Sequence, residues 1–109
     1  MFFKNGDKAL LEELRSLGAR LSEDRIYEKV IAEVESNELD AVAKAKAFEE
    51  AEGDALKARA FYIKHRVRRI RDLATEYEIW LQQEADKKEA IRKREQKLAD
   101  HRRMLCEKM

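Results

Sequence analysis

The 109-residue sequence contains no proline, three glycines, one cysteine and two histidines. Without proline, nothing in the chain forces a helix to break. A single cysteine cannot form an internal disulfide, and one cysteine with two histidines cannot build a cysteine-rich zinc site of four ligands. The three glycines are too far apart to form a glycine-rich phosphate loop. These absences exclude a disulfide scaffold, a cysteine-rich zinc domain and a P-loop nucleotide-binding protein.

Long uncharged apolar stretches are missing as well. The first residues do not include the roughly 7 to 15 apolar residues of a signal peptide. No window approaches the roughly 18 apolar residues that a membrane-spanning helix needs, because charged residues interrupt the chain every few positions. We therefore expect a soluble, cytoplasmic protein with no membrane span.

What the sequence does have is charge and helix-forming residues. Asp, Glu, Lys and Arg make up 43% of the chain and hydrophobic residues 44%, while the formal net charge is only +1. Alanine, leucine, glutamate, lysine and arginine dominate, and all five favour helices. The composition predicts an all-α fold. We expect three short N-terminal helices packed on the first half of a long C-terminal helix, which continues as a charged, weakly coiled-coil arm.

Capping residues divide the first part of the chain. Asp7 is predicted to N-cap a first helix that ends near Leu17, with Gly18 in the left-handed conformation after it. Ser22 is predicted to cap a second helix, and Ser36-Asn37 is a suitable stop because asparagine tolerates left-handed backbone. The predicted buried residues of the second helix are Ile26, Val30, Ile31 and Val34.

A third, alanine-rich helix is predicted from about Leu39 to Glu52. The Gly53-Asp54 pair then combines a helix-ending glycine with an N-capping aspartate, so it predicts a tight turn between two helices. The apolar residues of the third helix are Ala41, Val42, Ala45 and Phe48. Most of them are small, which would allow a neighbouring helix to approach closely.

After this turn, apolar residues recur at alternating spacings of four and three, as in a coiled coil. Beyond Leu81 the same register places charged residues at four of seven core positions (Glu84, Lys88, Glu95 and Arg102), so the pattern weakens there. We predict a helical domain over residues 1–81 and a charged helical extension over 82–109. Either an unbroken helix or a break near Thr75 or Asp86 fits the sequence. The apolar positions of the first half are Leu56, Ala60, Ile63, Val67, Ile70, Ala74, Tyr77 and Leu81.

The near-zero net charge is a cancellation between two halves. Residues 1–54 carry 8 basic and 14 acidic side chains, whereas residues 55–109 carry 16 basic and 9 acidic ones. On a helical projection, four cations of the second half form one stripe: Lys57, Lys64, Arg68 and Arg71. We call these four residues the basic stripe. Three interpretations fit the basic stripe. Its cations pair with the acidic half or are simply solvated, they bind nucleic acid, or they contact an anionic protein or lipid surface. Candidate pairing carboxylates are Glu28, Glu35, Glu49 and Glu50.

Catalytic and metal-binding patterns are not found. A di-metal helical site needs Glu-x-x-His, but Tyr62 and Leu98 stand three residues before His65 and His101. Cys106 lies close to the end of the sequence, where a nucleophile would lack a buried base and oxyanion donors. We therefore expect a non-enzymatic protein without cofactor, metal or small-molecule substrate.

Three aromatic residues lie on one side of the long helix: Tyr62, Tyr77 and Trp80. Tyr77 and Trp80 are three residues apart, and Tyr62 lies about four turns before them. They offer a stacking platform for bases, but their place within the apolar arc favours packing against the first helices.

The last part of the chain keeps a thin apolar line. Ile91, Leu98 and Leu105 are spaced seven residues apart, which is the spacing that a contact between two helices uses. Between them, Glu84 to Lys88 and Glu89 to Lys93 are predicted ion pairs along a solvated helix. We predict a helical interaction or assembly protein that forms a homo-oligomer, with a dimer favoured, or binds a partner protein through this line. The alternative is a nucleic-acid-binding module that uses the basic stripe.

Part of the sequence also resembles a short helical module that recurs in uncharacterised bacterial proteins. The resemblance implies a bacterial origin and helices joined by turns in the order described above, and it implies no activity and no functional residues. It covers about 40 residues and is carried by Tyr27-Glu28, Glu33 to Glu35, Ala43-Lys44-Ala45, Glu52-Gly53-Asp54, Lys57-Ala58 and Tyr62-Ile63-Lys64 with Arg66.

Overall fold

The structure is a computed structural model that describes residues 3–108, except for the side chain of Asn5. Over these residues the chain forms four helices and no strand, so the predicted all-α fold is confirmed. The long last helix is bonded to the second helix through Tyr62 and Glu33 and to the third through Lys64 and Glu50. The helices are α1 (Asn5–Ser16), α2 (Ala19–Ser36), α3 (Ala41–Ala51) and α4 (Ala55–Lys108).

The start of α1 differs from the prediction. The helix begins at Asn5 with Lys4 in the N-cap position, and no side chain caps it. Asp7 therefore lies in the first helical turn, where its negative charge still suits the positive end of the helix dipole. The predicted cap at Asp7 is wrong because this carboxylate is used elsewhere, in a contact with α4.

The junction between α1 and α2 is also tighter than predicted. Leu17 and Gly18 are both extended, with φ of −89° and −69°, so Gly18 does not take the predicted left-handed conformation. α2 already begins at Ala19, and Ser22 is not its cap. Instead the Ser22 hydroxyl donates a 2.8 Å hydrogen bond to the carbonyl of Leu14. This bond helps to satisfy the end of α1 and ties the two helices together.

The buried face of α2 contains a charged residue. Ile26 and Val30 are buried as predicted, but Ile31 is 48% exposed. Glu33 is buried instead, with 7% exposure, and it occupies the position seven residues after Ile26. The expectation of a purely apolar stripe is therefore wrong at Ile31. The helix ends at Asn37, whose left-handed backbone (φ 57°) confirms the predicted stop.

α3 packs through its smallest residues. Asp40 caps the helix by accepting a 3.1 Å hydrogen bond from the amide of Ala43. The buried residues are Ala43, Ala47 and Ala51, spaced four apart, whereas the predicted Val42 and Phe48 are 43% and 50% exposed. The predicted Ala41 and Ala45 are exposed too. The buried face of α3 is therefore the one formed by these three alanines.

The turn between α3 and α4 confirms its prediction. Glu52 and Gly53 both have positive φ, 52° and 86°, and the glycine meets this requirement without a side-chain penalty. Asp54 then accepts hydrogen bonds from the amides of Leu56 (3.0 Å) and Lys57 (3.2 Å). Asp54 is thus the N-cap of α4.

α4 is unbroken from Ala55 to Lys108, which resolves the choice between a continuous and a broken helix. Its buried face does not follow the predicted register at the start, since Leu56 is 82% exposed and Ala60 is exposed as well. The face is carried by polar-tipped side chains as well as apolar ones. Its buried residues are Ala58, Tyr62, Arg66, Val67, Ile70 and Tyr77.

Contacts divide the chain into two compact units, one up to Thr75 and one from Glu76 onward. We refer to them as the N-terminal unit and the C-terminal unit. Among residues 3–108, no helix is both long and apolar enough to cross a membrane.

Candidate functional site

The basic stripe is divided between paired and unpaired cations. All four of its residues are exposed, but Lys64 lies 3.1 Å from Glu50 and Arg71 is paired with Glu23. Lys57 and Arg68 form no ion pair with the residues that the structure describes. The structure therefore leaves two of the four predicted cations available for an anionic ligand.

The carboxylates that pair with the stripe are only partly those expected. Glu50 was a candidate, and it contacts both Lys64 and His65. The pKa of Glu50 is below its ordinary value because it accepts hydrogen bonds from His65 and Lys64. The other pairing residue is Glu23 in α2. None of the expected Glu28, Glu35 and Glu49 pairs with the stripe. Carboxylates of the acidic half thus pair with two of the four stripe cations, Lys64 and Arg71.

The most highly organised polar group of the N-terminal unit is buried. Arg66 is 4% exposed and donates three hydrogen bonds to Glu33, two from Nε at 3.0 and 3.2 Å and one from Nη2 at 2.9 Å. Nη2 also donates to Asp7 at 3.3 Å, and Nη1 lies 3.8 Å from Asp40. One guanidinium therefore joins α4 to α1, α2 and the N-cap of α3.

Tyr62 completes this group one turn before Arg66 on α4. Its hydroxyl donates a 2.9 Å hydrogen bond to Glu33 and accepts a 3.0 Å bond from the amide of Asp40. Arg69 lies on the other side of Asp40, with Nε 3.1 Å from the carboxylate. This contact is an ion pair without an aligned hydrogen bond, because the Arg69 Nε donor is unsatisfied. We call Asp7, Glu33, Asp40, Tyr62, Arg66 and Arg69 the Arg66 network.

The network shifts the pKa values of its members in the directions that stabilise it. Burial raises the pKa of Tyr62 to about 12, and its hydrogen bond to Glu33 acts in the same direction. Burial raises the pKa of Asp40, but the Ala43 amide and the charges of Arg66, Arg69 and Lys4 outweigh it, so the net shift is downward. For Arg66, burial is outweighed by the bonds and charges of its carboxylates, and the pKa is raised. Arginine, aspartate and tyrosine therefore keep their ordinary protonation states near neutral pH.

The Arg66 network is suited to holding helices together. Its carboxylates contact Arg66, Arg69, Tyr62 and the Ala43 amide. The network was missed in the sequence analysis, since all the residues predicted to be buried were apolar. A signal was present: Glu33 stands at helical spacing from Ile26 and Val30, where an apolar residue is the norm, and such a carboxylate requires a buried cation.

A groove lies next to this network, between the end of α2, α3 and the start of α4. Its volume is about 320 Å³, and its rim carries the exposed side chains of Phe48 and Leu56. Lys44 and Arg59 are the charged residues of its lining, which also includes Tyr62. Because the Tyr62 hydroxyl is held by Glu33 and Asp40, the Arg66 network fixes one wall of the groove.

The C-terminal unit presents the predicted apolar line on an otherwise charged helix. Ile91, Leu98 and Leu105 are 56%, 53% and 50% exposed. Around them, ion pairs run along the helix at spacings of three residues: Glu84 with Lys87, Glu89 with Arg92, and Asp100 with Arg103. The predicted partners Lys88 and Lys93 do not form the expected pairs. The line itself is flanked by charges and remains accessible.

Of the three aromatic residues, Tyr62 packs against the earlier helices as predicted, through its contacts with Glu33 and Asp40. Tyr62 and Tyr77 are 3% and 4% exposed, and the Tyr77 ring stacks on Trp80 with a centroid distance of 5.8 Å. These buried rings are not available as an open platform for bases.

Residues 3–108 contain no group of three or more His, Cys, Asp or Glu side chains that could hold a metal ion. Cys106 is exposed and forms no disulfide, and His65 contacts Glu50.

Comparison of the chain with protein-family models, with curated proteins and with solved structures gave no match in any of the three.

Proposed function

We propose that this protein is a non-enzymatic helical assembly protein that associates with a second copy through the C-terminal unit. The observation that carries the proposal is the line of Ile91, Leu98 and Leu105. Three large apolar side chains, each half exposed, lie seven residues apart on one face of a continuous helix. In a helix that is otherwise charged, this spacing is typical of a contact with another helix.

The size of this line sets the strength of association. Full burial of a leucine or isoleucine is worth about 1.5–3 kcal/mol, so covering the exposed half of each contributes on the order of 1 kcal/mol. Six such residues across two chains must offset the entropy lost when two molecules associate. We therefore propose a reversible association, and not an obligate dimer.

The N-terminal unit contains the first part of α4. The Arg66 network joins α1, α2 and the α3 cap to α4, so the first part of α4 is held in place. The second part of the same helix carries the apolar line. We propose that the N-terminal unit acts as a folded anchor while the C-terminal unit carries the interaction surface.

Binding of nucleic acid through the basic stripe is the second candidate. It has less support, because Lys64 and Arg71 already hold Glu50 and Glu23. Lys57 and Arg68 alone offer two phosphate contacts, and affinity for nucleic acid grows with the number of phosphates neutralised.

We also propose that the protein is cytoplasmic, since its single cysteine suits a reducing compartment.

Size-exclusion chromatography with light scattering tests the proposal. The wild-type chain should give a dimer mass at micromolar concentration, and the Leu98→Asp/Leu105→Asp variant should give a monomer with unchanged helical circular dichroism. The matched control is Lys93→Asp/Lys97→Asp, which introduces the same acidic residues away from the apolar line. A monomeric wild type, unchanged by the Leu98 and Leu105 substitutions, would refute the proposal.

A further inference from the structure

We infer that the second copy binds antiparallel, with Glu84 opposite Arg102 of the other copy and Leu81 opposite its Leu105. This inference rests on the self-association proposed above and specifies the orientation and register of the contact. It is drawn from the charged residues that interrupt the apolar line, because these residues must also find neighbours in the interface.

The C-terminal unit carries four charges in its core register. If Ile91, Leu98 and Leu105 take one core position of each heptad, Glu84 takes that position as well, and the other core position falls on Leu81, Lys88, Glu95 and Arg102. The face that contains the apolar line thus includes two acidic and two basic residues. Arg102 is exposed and pairs with no carboxylate among residues 3–108, while the Glu84 side chain is 39% exposed.

A parallel, in-register dimer brings every one of these charges against its own kind. In that arrangement each core residue faces the same residue of the second copy. Glu84 would face Glu84 and Arg102 would face Arg102, and Lys88 and Glu95 would meet their own copies likewise. Four layers of like charge alternate with four apolar layers, those of Leu81, Ile91, Leu98 and Leu105, and the like-charge layers disfavour this orientation.

An antiparallel dimer allows the charges to complement one another. When Glu84 faces Arg102 of the second copy, the same register places Leu81 opposite Leu105, and twofold symmetry repeats both contacts. Lys88 then lies beside Leu98, where its aliphatic stem can cover the leucine while its ammonium group reaches solvent. Ile91 lies beside Glu95 in the remaining layer. The dimer then has two opposite-charge layers, two leucine layers and four layers that pair one apolar with one charged residue, and it has no like-charge core layer.

The same register uses the C-terminal unit from end to end. Residue 78 lies opposite residue 108 of the second copy, so the overlap spans the unit that begins at Glu76. A shift of one heptad in one direction places Glu84 against Glu95, and Leu105 against Ala74 of the N-terminal unit. A shift in the other direction leaves Leu105 opposite Lys88 and no leucine pair. Only the central register combines both complementary contacts.

Two symmetric unfavourable contacts lie beside the twofold axis, where Arg92 of each copy lies opposite Arg94 of the other. Each Arg92 already holds Glu89 of its own chain at 2.6 Å, and the pKa of Glu89 is lowered by this hydrogen bond. The neighbouring carboxylate offsets the repulsion, and the layers on either side determine the register.

Charge reversal tests the register. Glu84→Arg and Arg102→Glu should each weaken dimerisation about fivefold or more, because each places like charges in two symmetric layers. The double variant Glu84→Arg/Arg102→Glu should return to within about twofold of wild type. The controls Asp86→Arg and Lys97→Glu make the same charge changes outside the core register and should leave the dimer unchanged. Absence of rescue in the double variant would overturn the register.

The single cysteine tests the orientation in the unmodified sequence. A spin label on exposed Cys106 would lie near residue 80 of the second copy, so the two labels would be separated by about 26 residues of helix rise, or about 39 Å. A parallel dimer would bring them within about 20 Å. A dimer mass with the short distance would overturn the antiparallel orientation alone, whereas a monomer mass would overturn the proposed self-association as well.

Discussion

Arg66 of α4 and Glu33 of α2 are joined by three hydrogen bonds in the interior of the N-terminal unit, at 2.9 to 3.2 Å. They belong to opposite halves of the sequence, the basic one and the acidic one. The division of charge along the chain is therefore partly internal: the acidic helices provide carboxylates for cations of α4. The same arrangement occupies Lys64 and Arg71 of the basic stripe.

The first prediction concerns Arg66 itself. Arg66→Met should destabilise the protein by about 3–5 kcal/mol, because it leaves Glu33 buried without its cation. The double variant Glu33→Leu/Arg66→Met should recover most of this loss, since it removes both buried charges. Urea unfolding followed by circular dichroism measures both effects.

Arg103→Met is the matched control for Arg66→Met. Arg103 also pairs with a carboxylate, that of Asp100, but its side chain is 71% exposed, so the loss should be below about 1 kcal/mol. Equal losses at Arg66 and Arg103 would show that the Arg66 network has no special role in stability.

The second prediction concerns the high-pH limit of stability. The pKa of Tyr62 is about 12 in the folded protein, whereas an unfolded tyrosine has a pKa near 10. The contribution of neutral Tyr62 is therefore complete below about pH 10 and is lost as the pH rises toward 12. The free energy of unfolding of the Tyr62→Phe variant should fall less over this pH range than that of the wild type. Parallel pH curves for the two proteins would contradict the prediction.

The third prediction separates the two roles of Asp40. Asp40→Asn keeps an oxygen that can cap α3, whereas Asp40→Ala removes both the cap and the charge. Because the folded pKa of Asp40 lies below its ordinary value, its charge stabilises the protein above about pH 4, and this contribution is lost as the pH falls through the folded pKa.

We therefore expect the wild type to lose stability toward low pH more steeply than Asp40→Asn. At neutral pH, Asp40→Ala should be less stable than Asp40→Asn by about 1 kcal/mol, the value of a helix N-cap. Urea unfolding at a series of pH values measures both differences. Identical stabilities of the two variants at neutral pH would argue against the capping role.

The fourth prediction concerns the basic stripe. With Lys64 and Arg71 occupied, the wild type should not bind duplex or single-stranded nucleic acid detectably at about 50 mM salt. Fluorescence anisotropy with labelled DNA and RNA provides the measurement. Binding that weakens steeply with salt and disappears in Lys57→Ala/Arg68→Ala would instead favour the nucleic-acid-binding function.

Much of the fold followed from local sequence signals. The end of α2 at Asn37 and the turn around Gly53 were predictable, because left-handed backbone and side-chain caps depend on a few adjacent residues. Caps at Asp7 and Ser22 were mispredicted for the opposite reason. Their side chains bond to distant parts of the chain, Arg66 and Leu14, which a local pattern does not contain.

The buried surfaces were less predictable. The sequence placed Leu56 in the apolar register of α4, but the tertiary packing uses the alanine face of α3 and the tyrosine and arginine of α4. The contacts that Tyr62 and Arg66 make in the network join residues that are 22 to 59 positions apart, so its assembly requires the fold. The line of Ile91, Leu98 and Leu105 was visible in the sequence because it depends only on the seven-residue spacing of one helix.

Sedimentation equilibrium of the wild-type chain across a micromolar dilution series tests self-association through this line. The protein should shift reversibly between its 12.9 kDa monomer and a species of twice that mass, and the Leu98→Asp/Leu105→Asp variant should stay monomeric throughout. A single monomer mass for the wild type at every concentration would contradict the proposed assembly function.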